Sequence, residues 1–520
     1  MIKKLFILFK IAKKIAQSDI LNIVSRFHKP PMLVKIFFNI LSFSVKSKNN
    51  FNPNEKEQLS NSLQSMGTTF IKLGQFLATR PDIIGDDLSK QLETLQDKLP
   101  PFPLEQAKKI IKNDLGTETY NCLINISEPV AAASIAQVHK AQINDNGTVK
   151  DVAVKILRPD IKKIFNDEID ALMLFAFIVE SLLKKTKRLK LIEVVFLLKE
   201  ITNLEMDLRF EAAAANEYAE NTKNDIGFNI PKIYWNFTGQ NVLTLDWIEG
   251  ISIRETEILK NKDIDTKKIA EDLIQHFLRH AVRDGFFHAD MHQGNIFIDN
   301  SGQIVPIDFG IMGRLDKLSK RFLAEILFGF IQRDYKKVAE VHIMAGLVPK
   351  GVPIDDLAQA LRSIGEPIFG QSVKDISGGK LLKQLFEITE KFNMSTQPQL
   401  LLLQKTMVVV EGVARKLNPN TNIWETSKPV LENWLKETKN PINSINDKLK
   451  NTNEAIKRLP EFPEIMDKAN QALSFLASGQ IPQNSNSYFA LNKKKLEMTA
   501  FRNQTVISLL LLVIFSLLVF

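Results

Sequence analysis

The chain has 520 residues, which is enough for one large core or for two or three structural units. Its hydrophobic content of 44% excludes disorder over most of the length, and the single cysteine, Cys122, excludes an intramolecular disulfide and a thiolate metal cluster. The net charge of +9 favours an anionic membrane surface or a phosphorylated ligand. Because this charge is mostly lysine spread along the chain, with no Arg-rich arm, we predict no nucleic-acid partner.

The N-terminal region, residues 1–50, predicts basic and apolar amphipathic helices. It opens with MIKKLFILFKIAKKIAQ, in which lysines and large apolar residues alternate at helical spacing. Two interpretations of this first helix stay open: it lies on an anionic membrane surface, or it packs on its own domain. The segment lacks the small-residue cleavage site of a secretory signal.

A polar linker leads to residues 55–101, which predict a helical extension that closes at Pro100-Pro101. Residues 129–157 then predict two strands joined by a hairpin turn at Asn146-Gly147. Long helical patterns follow from about Ile161 to Asn221.

The last fifteen residues, VISLLLLVIFSLLVF, carry no charge. With Thr505 they span roughly 24 Å as a helix, at about 1.5 Å per residue, slightly less than the bilayer core of about 30 Å. Arg502 and Lys493–Lys495 precede them, as expected for a cytoplasmic flank. We predict a C-terminal transmembrane anchor over 505–520, and a buried core helix is the alternative.

Four short stretches occur in the order that phosphoryl-transfer enzymes of the kinase type use. Val152-Ala153-Val154-Lys155 is an apolar strand that ends in a lysine able to hold phosphate oxygens. Glu211 lies in a later helical stretch, where a glutamate can pair with that lysine and fix its direction. Each of these two signals is weak on its own, because solvated lysines and glutamates are common.

The remaining two stretches supply a base and metal ligands. In the loop FHADMHQGN, Asp290 is placed to orient or deprotonate an acceptor, and Asn295 is placed to hold a metal. The tripeptide Asp308-Phe309-Gly310 follows a short apolar run and supplies a second metal-binding oxygen. The ordered set is specific for ATP and Mg²⁺, because carboxylate and amide oxygens suit hard cations.

The histidines allow a rival interpretation. His276 and His280, and also His288 and His292, are spaced as i, i+4 pairs that could bind zinc on a helix. The second pair, however, lies in the inferred catalytic loop, and Gly294 argues against a helix there. We therefore expect the histidines to be hydrogen-bonded structural residues.

Over roughly residues 60–330 the chain resembles the UbiB family of atypical kinases linked to ubiquinone (coenzyme Q) biosynthesis. Lys72-Leu73-Gly74-Gln75 resembles the family's KxGQ signature, and Glu205-Met206-Asp207 resembles its ExD motif. The stretch Ala131, Ala132, Ala133 and Ser134 is similar to the alanine-rich loop that replaces the glycine-rich loop of protein kinases. One departure is Gln293, where the family often has proline.

The resemblance implies specific roles for these motifs. The KxGQ extension is expected to fold over the active site as a lid that excludes large protein substrates, with Lys72 and Gln75 facing Glu205 and Asp207. If 205–211 is one helix, Asp207 and Glu211 share a face and Glu205 points elsewhere, so Glu205 pairs with Lys72 and Glu211 with Lys155. The alanines carry Cβ atoms, so the loop is expected to hold nucleotide differently from a glycine loop.

We therefore predict an α+β, protein-kinase-like two-lobe fold with an N-terminal helical extension over the active site and a C-terminal membrane helix. The expected units are a kinase-like core over 125–345 and a helical continuation and tether over 346–495. The predicted function is a membrane-associated kinase or ATPase that uses ATP and Mg²⁺.

The resemblance implies a role in ubiquinone biosynthesis, with membrane lipids and prenylated quinone precursors or biosynthetic enzymes as partners. It places the chain at a bacterial inner membrane on the cytoplasmic side, with the mitochondrial inner membrane as the alternative. Two other functions stay open: a nucleotide-binding pseudokinase scaffold, and a small-molecule kinase.

Overall fold

The computed structural model of the chain describes residues 2–18, 58–78, 99–145, 147–182, 191–262, 264–349, 351–370 and 398–439, with isolated residues between 84 and 95 and between 387 and 394. The chain divides into two compact units, Met1–Leu435 and Lys436–Phe520, and the described elements belong almost entirely to the first. The predicted anchor over 505–520 lies outside the described residues. Within the described ranges, no helix is long and apolar enough to cross a bilayer.

An antiparallel sheet of five strands forms the centre of the N-terminal half. Its strands are Leu123–Ile124 (β1), Pro129–Ala132 (β2), Ala136–Asp145 (β3), Thr148–Leu157 (β4) and Val242–Asp246 (β5). The order is β1-β3-β4-β5, and β2 also pairs with β3. The pairing of Asp145 with Thr148 closes the hairpin, and Gly147 adopts φ 87° in its turn, which only glycine adopts without strain. The predicted hairpin is confirmed.

Helices surround this sheet and form most of the remaining described chain. They lie, in chain order, at Ile2–Gln17 (α1), Gln58–Met66 (α2), Thr68–Ala78 (α3), Leu104–Leu115 (α4), Thr117–Asn121 (α5), Ile161–Leu182 (α6), Leu191–Glu205 (α7), Leu208–Thr222 (α8), Thr256–Asn261 (α9), Thr266–Arg279 (α10), Lys317–Ile331 (α11), Tyr335–Met344 (α12), Ile354–Gly370 (α13), Pro398–Leu417 (α14) and Ile423–Lys439 (α15). A short 3₁₀ turn occupies Trp235–Phe237, and α10 continues into a π-helical turn at His280–Asp284.

The helical patterns predicted from Ile161 to Asn221 are confirmed as α6, α7 and α8. Between α7 and α8, Asp207 has an extended backbone, with φ −133° and ψ 97°. Its carboxylate accepts from the backbone N–H of Arg209 and caps α8. An aspartate at this position satisfies a backbone donor that the helix start leaves unpaired, which favours a new helix over continuation of α7.

The N-terminal helix α1 packs on α6. Ile11 is buried in the main hydrophobic core, and the Lys14 ammonium lies 3.8 Å from the carboxylate of Glu168. Of the two open interpretations, the structure therefore shows the helix packed on its own domain. Phe6 and Phe9 on the same helix remain exposed.

Two small antiparallel sheets position the loops that matter for the site. Their strands are Gly250–Ser252 (β6), Phe286–His288 (β7), Ile296–Asp299 (β8), Ile304–Pro306 (β9) and Met312–Arg314 (β10). One sheet has the order β6-β8-β9, and the other pairs β7 with β10. The β7–β10 pair brings the segment before Asp290 beside the segment after Asp308, although the two are distant in sequence.

Two hydrophobic clusters hold these elements together. The larger one runs from the N-terminal helices through α8 and α10 to α15, and Phe165, Phe277 and Phe309 are buried within it. The smaller one packs α4 against β3 and β4, through residues such as Ile111 and Val154. Burying each such side chain stabilises the fold by about 1.5–3 kcal/mol relative to exposure.

Candidate active site

The lysine at the end of the predicted strand lies in a cluster of charged groups. Val154 and Ile156 of β4 point into the core, so the alternation of the strand turns Lys155 to the opposite face. Its ammonium lies 2.7 Å and 2.9 Å from the two carboxylate oxygens of Glu211 on α8, and 3.4 Å from Asp308. The structure therefore brings together three residues that the sequence places in separate motifs.

The charges in this cluster support one another. Burial by itself lowers the pKa of Lys155, but the carboxylates of Asp308 and Glu211 outweigh burial and raise the pKa above its usual value. For Asp308, desolvation acts to raise the pKa, yet the charge of Lys155 and the N–H of Gly310 hold it below its usual range. Burial raises the pKa of Glu211. Lys155 and Asp308 are thus both charged at neutral pH.

The loop between β7 and β8 carries the other two predicted site residues. The side-chain amide of Asn295 donates to the backbone carbonyl of Asp290 at 3.1 Å and to its carboxylate at 3.2 Å. His292 accepts from the N–H of Gly294 at 2.9 Å, which makes this segment a turn and excludes a helix. Because the amide nitrogen of Asn295 is engaged with Asp290, its carbonyl oxygen faces the other way and can serve as a ligand.

Asp290 and Asp308 are accessible, and Asn295 is not. The side chains of the two aspartates are 40% and 43% exposed, whereas Asn295 is buried. Two accessible carboxylates beside a held amide oxygen form a donor set that suits a hard divalent cation such as Mg²⁺. Asp308 and Asn295 are the residues that fit this cation, with Lys155 beside them for phosphate oxygens.

His288 joins the two loops of the site. Its Nδ1 accepts from the backbone N–H of Asp290 at 3.1 Å, so its Nε2 carries the proton and donates to the backbone carbonyl of Asp308. Burial lowers the pKa of His288, which keeps the ring neutral in this arrangement. The expectation that this histidine is a hydrogen-bonded structural residue is confirmed.

The alanine-rich stretch begins within β2, because Ala131 and Ala132 pair with Val138 and Gln137 of β3, and the register shifts between Pro129 and Ala131. The N–H of Ala133 donates to the carbonyl of Ala136 at 2.8 Å, so this donor is engaged within the turn. The loop residues Ala131, Ala132 and Ala133 are exposed or half-buried, and Ser134 is buried.

Arg158 forms hydrogen bonds to this loop, a role that the sequence did not predict. Its guanidinium donates to the carbonyl of Ala133 at 3.0 Å and 2.7 Å, and to the carbonyl of Pro100 at 2.9 Å. Thr68, at the start of α3, donates to the carbonyl of Ser134 at 3.0 Å. The loop is thus tied both to the strand that carries Lys155 and to the helical extension. A lone arginine after a strand carries no local pattern that predicts these bonds.

The helical extension contacts the core through a second lysine–glutamate pair. The Lys72 ammonium of α3 lies 2.6 Å from the Glu205 carboxylate at the end of α7, and both side chains are 11% exposed. Gln75 lies on the same helix and is half-buried. The predicted pairing of Lys72 with Glu205 is therefore present.

The expectation that Asp207 also faces Lys72 is wrong. Asp207 caps α8 and accepts from the Arg209 guanidinium at 2.9 Å and 2.7 Å. The helix break at Asp207 places its carboxylate at the start of α8. Asp207 and Glu211 share a helix face only if one helix runs through both, and α8 begins after Asp207.

Asp225, His276 and His280 form the cluster within the described chain that has metal-ligand spacing, because one ligand atom of each lies within 4.8 Å of the others. The Arg283 guanidinium, however, lies 2.7 Å and 2.9 Å from the two Asp225 oxygens, and Arg279 donates to His276 at 3.3 Å. These cations occupy the lone pairs and repel a metal ion. The cluster is a hydrogen-bonded network, in keeping with the structural interpretation of these histidines.

Two family models match the chain. The ABC1 atypical kinase-like domain matches residues 94–342, and the UbiB helical domain matches residues 361–422. The first match, together with the sheet and helices described above, confirms the predicted mixed helix-and-sheet, kinase-like fold.

Curated relatives match most of the chain. A protein of Marinobacter nauticus named "Probable protein kinase UbiB" is 37% identical over 470 residues, which cover 89% of this chain and 85% of the relative. A Pseudomonas aeruginosa protein of the same name is 37% identical over 417 residues, 79% of this chain and 77% of the relative. A solved complex of Rv3197 with erythromycin from Mycobacterium tuberculosis is 22% identical, with a TM-score of 0.43, and the match covers 70% of this chain and 95% of that chain.

Proposed function

The chain belongs to the UbiB family of ABC1 atypical kinase-like proteins, and from this premise we propose that it binds ATP and Mg²⁺ and transfers or hydrolyses the terminal phosphoryl group in support of ubiquinone biosynthesis. One observation carries the proposal: Lys155, Glu211 and Asp308 form one charged cluster, beside the Asp290–Asn295 pair. Family membership supports a kinase-type enzyme, and the assembled cluster supports nucleotide chemistry.

Each residue has a role that its contacts support. Bound ATP supplies the phosphoryl group, and Mg²⁺ neutralises its charge. Lys155, held by Glu211, directs its ammonium toward phosphate oxygens, and Asp308 and Asn295 hold the cation. Asp290 orients the acceptor hydroxyl or water and takes its proton, which its exposure and its bond from Asn295 permit. The loop of Ala131, Ala132, Ala133 and Ser134 borders the nucleotide.

The lid role of the helical extension remains part of the proposal. The Lys72–Glu205 pair and the Thr68 bond to the alanine-rich loop tie α3 to the core on the side of the site. A lid held by a buried ion pair excludes large protein acceptors and favours small ones. We propose prenylated quinone precursors as acceptors or partners.

Membrane association is the third part of the proposal. The exposed Phe6 and Phe9 on the lysine-rich helix α1 and the uncharged C-terminal segment 505–520 support it. We place the chain at a bacterial inner membrane with the site on the cytoplasmic side.

The test is ATP turnover by the purified chain with Mg²⁺, with and without anionic liposomes. We expect turnover that rises with liposomes and is lost in Asp308→Asn. The control Asp316→Asn removes a carboxylate that caps α11, where asparagine caps equally well, and we expect wild-type turnover. If the wild-type chain and both variants bind nucleotide but none of them turns over ATP, the enzyme proposal is contradicted and a pseudokinase scaffold is favoured. Turnover on soluble acceptors alone favours a small-molecule kinase.

A further inference from the structure

A buried tyrosine connects the helix of Glu211 to the catalytic loop. Tyr218 lies two turns after Glu211 on α8 and is fully buried. Its hydroxyl oxygen lies 2.6 Å from Nδ1 of His280, in the π-helical turn that ends α10. The Nε2 of His280 lies 2.9 Å from the carboxylate of Asp225. None of the roles proposed above uses these three side chains.

The contacts fix the direction of each hydrogen bond. Because the Asp225 carboxylate only accepts, Nε2 of His280 carries the proton and donates to it. Burial lowers the pKa of His280, so the ring is neutral and Nδ1 is an acceptor. The Tyr218 hydroxyl therefore donates to Nδ1 of His280.

Asp225 is itself held rigidly. The Arg283 guanidinium donates to both of its carboxylate oxygens, at 2.7 Å and 2.9 Å, and also to Asp284. A bidentate pair of this kind fixes orientation as well as distance. Arg283, Asp225, His280 and Tyr218 thus form a continuous hydrogen-bonded series that joins the π-helical turn to α8.

The ring of Tyr218 reinforces the same position. It meets Phe286 of β7 and Phe309, which follows Asp308, edge-on at centroid distances of 6.0 Å and 6.4 Å. It also meets Phe228 edge-on at 5.7 Å. Tyr218 therefore touches the segments on both sides of the active site, and edge-to-face ring contacts favour this one arrangement.

We propose that Tyr218 is a positioning residue for the catalytic loop. Its hydroxyl anchors the π-helical turn that leads into β7, and its ring packs against Phe286 of β7 and against Phe309. The side chain of His288 then holds the N–H of Asp290 and the carbonyl of Asp308 at their places. Because Tyr218 shares α8 with Glu211, the Lys155–Glu211 pair and the catalytic loop are set by one rigid element. This inference rests on the proposed phosphoryl chemistry.

The test is Tyr218→Phe in the full chain, which keeps the ring contacts and removes only the hydroxyl. We expect kcat for ATP turnover to fall about tenfold, while the Kd for ATP with Mg²⁺, from equilibrium dialysis, stays within about twofold. Hydrogen exchange followed by mass spectrometry should become about tenfold faster in the segment 286–290, because the π-helical turn before β7 loses its hydrogen bond to α8. The matched control is Tyr335→Phe, another fully buried tyrosine far from these contacts, with wild-type values in all three measurements.

Wild-type kcat in Tyr218→Phe, or an equal loss of kcat and ATP affinity, overturns the proposal. If the wild-type chain shows no ATP turnover, the proposed function is wrong, and hydrogen exchange alone tests the role of Tyr218. Unchanged exchange of the segment 286–290 in Tyr218→Phe then overturns that role. Should Tyr218→Phe not fold, Asp225→Asn replaces it, since asparagine still accepts from His280 but loses the charge. We then expect about a threefold lower kcat with unchanged ATP affinity, and no change overturns the proposal.

Discussion

Two polar clusters of this protein offset the energetic cost of burying ionisable groups in opposite ways. In the site cluster of Lys155, Glu211 and Asp308, opposite charges compensate one another, so Lys155 and Asp308 stay charged. In the histidine cluster of Asp225, His276 and His280, burial keeps both rings neutral and the charge is confined to Asp225 and its arginine partners.

This difference distinguishes a ligand-binding site from a structural hydrogen-bond network. The site cluster leaves one carboxylate, Asp308, 43% exposed, so a ligand can reach a charge that the fold has already stabilised. In the histidine cluster the side chains of Asp225 and His280 are 5% exposed or less, and their hydrogen-bonding atoms are engaged. Metal-ligand residue types at metal-ligand distances are therefore not sufficient, because accessible lone pairs decide whether a ligand binds.

The largest effect is expected from Lys155→Met, which leaves two carboxylates in the site cluster without their cation. We expect the free energy of unfolding to fall by about 3–5 kcal/mol, because breaking a buried pair leaves an uncompensated charge in the protein interior. ATP binding should be lost with it. Urea unfolding and equilibrium dialysis measure the two effects.

The control is Lys140→Met, which breaks a Lys–Asp pair of 2.6 Å whose side chains are 36% and 31% exposed. An exposed pair of this kind is worth about 0–1 kcal/mol. Equal destabilisation by the two variants contradicts the role of compensation in the site cluster.

A somewhat smaller effect is expected from Lys72→Ala in the lid pair, in which Lys72 and Glu205 are both 11% exposed. We expect a loss of about 3 kcal/mol in the free energy of unfolding, at the lower end for a broken buried pair. Transfer of phosphate to a protein acceptor such as casein should rise, because the lid opens. The swap Lys72→Glu with Glu205→Lys should restore both values, and an unchanged reaction profile in Lys72→Ala rules out the lid role.

Acidification should act on the histidine cluster. Burial first, and then the neighbouring His280 and Arg279 side chains, lower the pKa of His276 to about 3, against 6.5 in the unfolded chain. Below pH 6.5 this histidine is protonated in the unfolded chain but stays neutral in the folded chain. The free energy of unfolding is therefore highest above pH 6.5 and decreases as the pH falls toward 3. The loss from this group is about 2 kcal/mol at pH 5.

The measurement is urea unfolding at pH 7 and pH 5, for wild type and His276→Gln. Glutamine does not titrate, so the loss between the two pH values should be about 2 kcal/mol smaller in the variant. The same loss in both proteins shows that His276 is not held neutral.

The smallest effect is expected where the catalytic loop departs from the family pattern. The Lys416 ammonium of α14 donates to the side-chain oxygen of Gln293 at 3.0 Å, and this exposed bond restrains a loop that lacks the family's proline. Lys416→Met should lower stability by less than about 1 kcal/mol and kcat by less than about threefold. Adding Gln293→Pro should restore kcat, and Lys428→Met on α15 serves as a neutral control. A large loss in Lys416→Met places this bond among the essential contacts.

The local part of the site was readable from the sequence alone. The strand before Lys155, the loop from Asp290 to Asn295 and the Asp308-Phe309-Gly310 turn each depend on residues close in the chain, whose spacing and turn chemistry are visible as patterns. The hairpin at Gly147 was predictable for the same reason, because a two-residue turn specifies its own backbone. Family membership followed from the ordered motifs and is shown by the relatives.

Only the tertiary structure decided the contacts between distant segments. Asp207 caps the start of α8 and does not pair with Lys72, because N-capping by its carboxylate favours a new helix over continuation of α7. Arg158 and Tyr218 have no local pattern that marks them, since their hydrogen-bond partners lie 25 to 62 residues away in the chain. Which lone pairs stay accessible depends on how helices and loops close around them, and that closure is a property of the packed core and not of any short stretch of sequence.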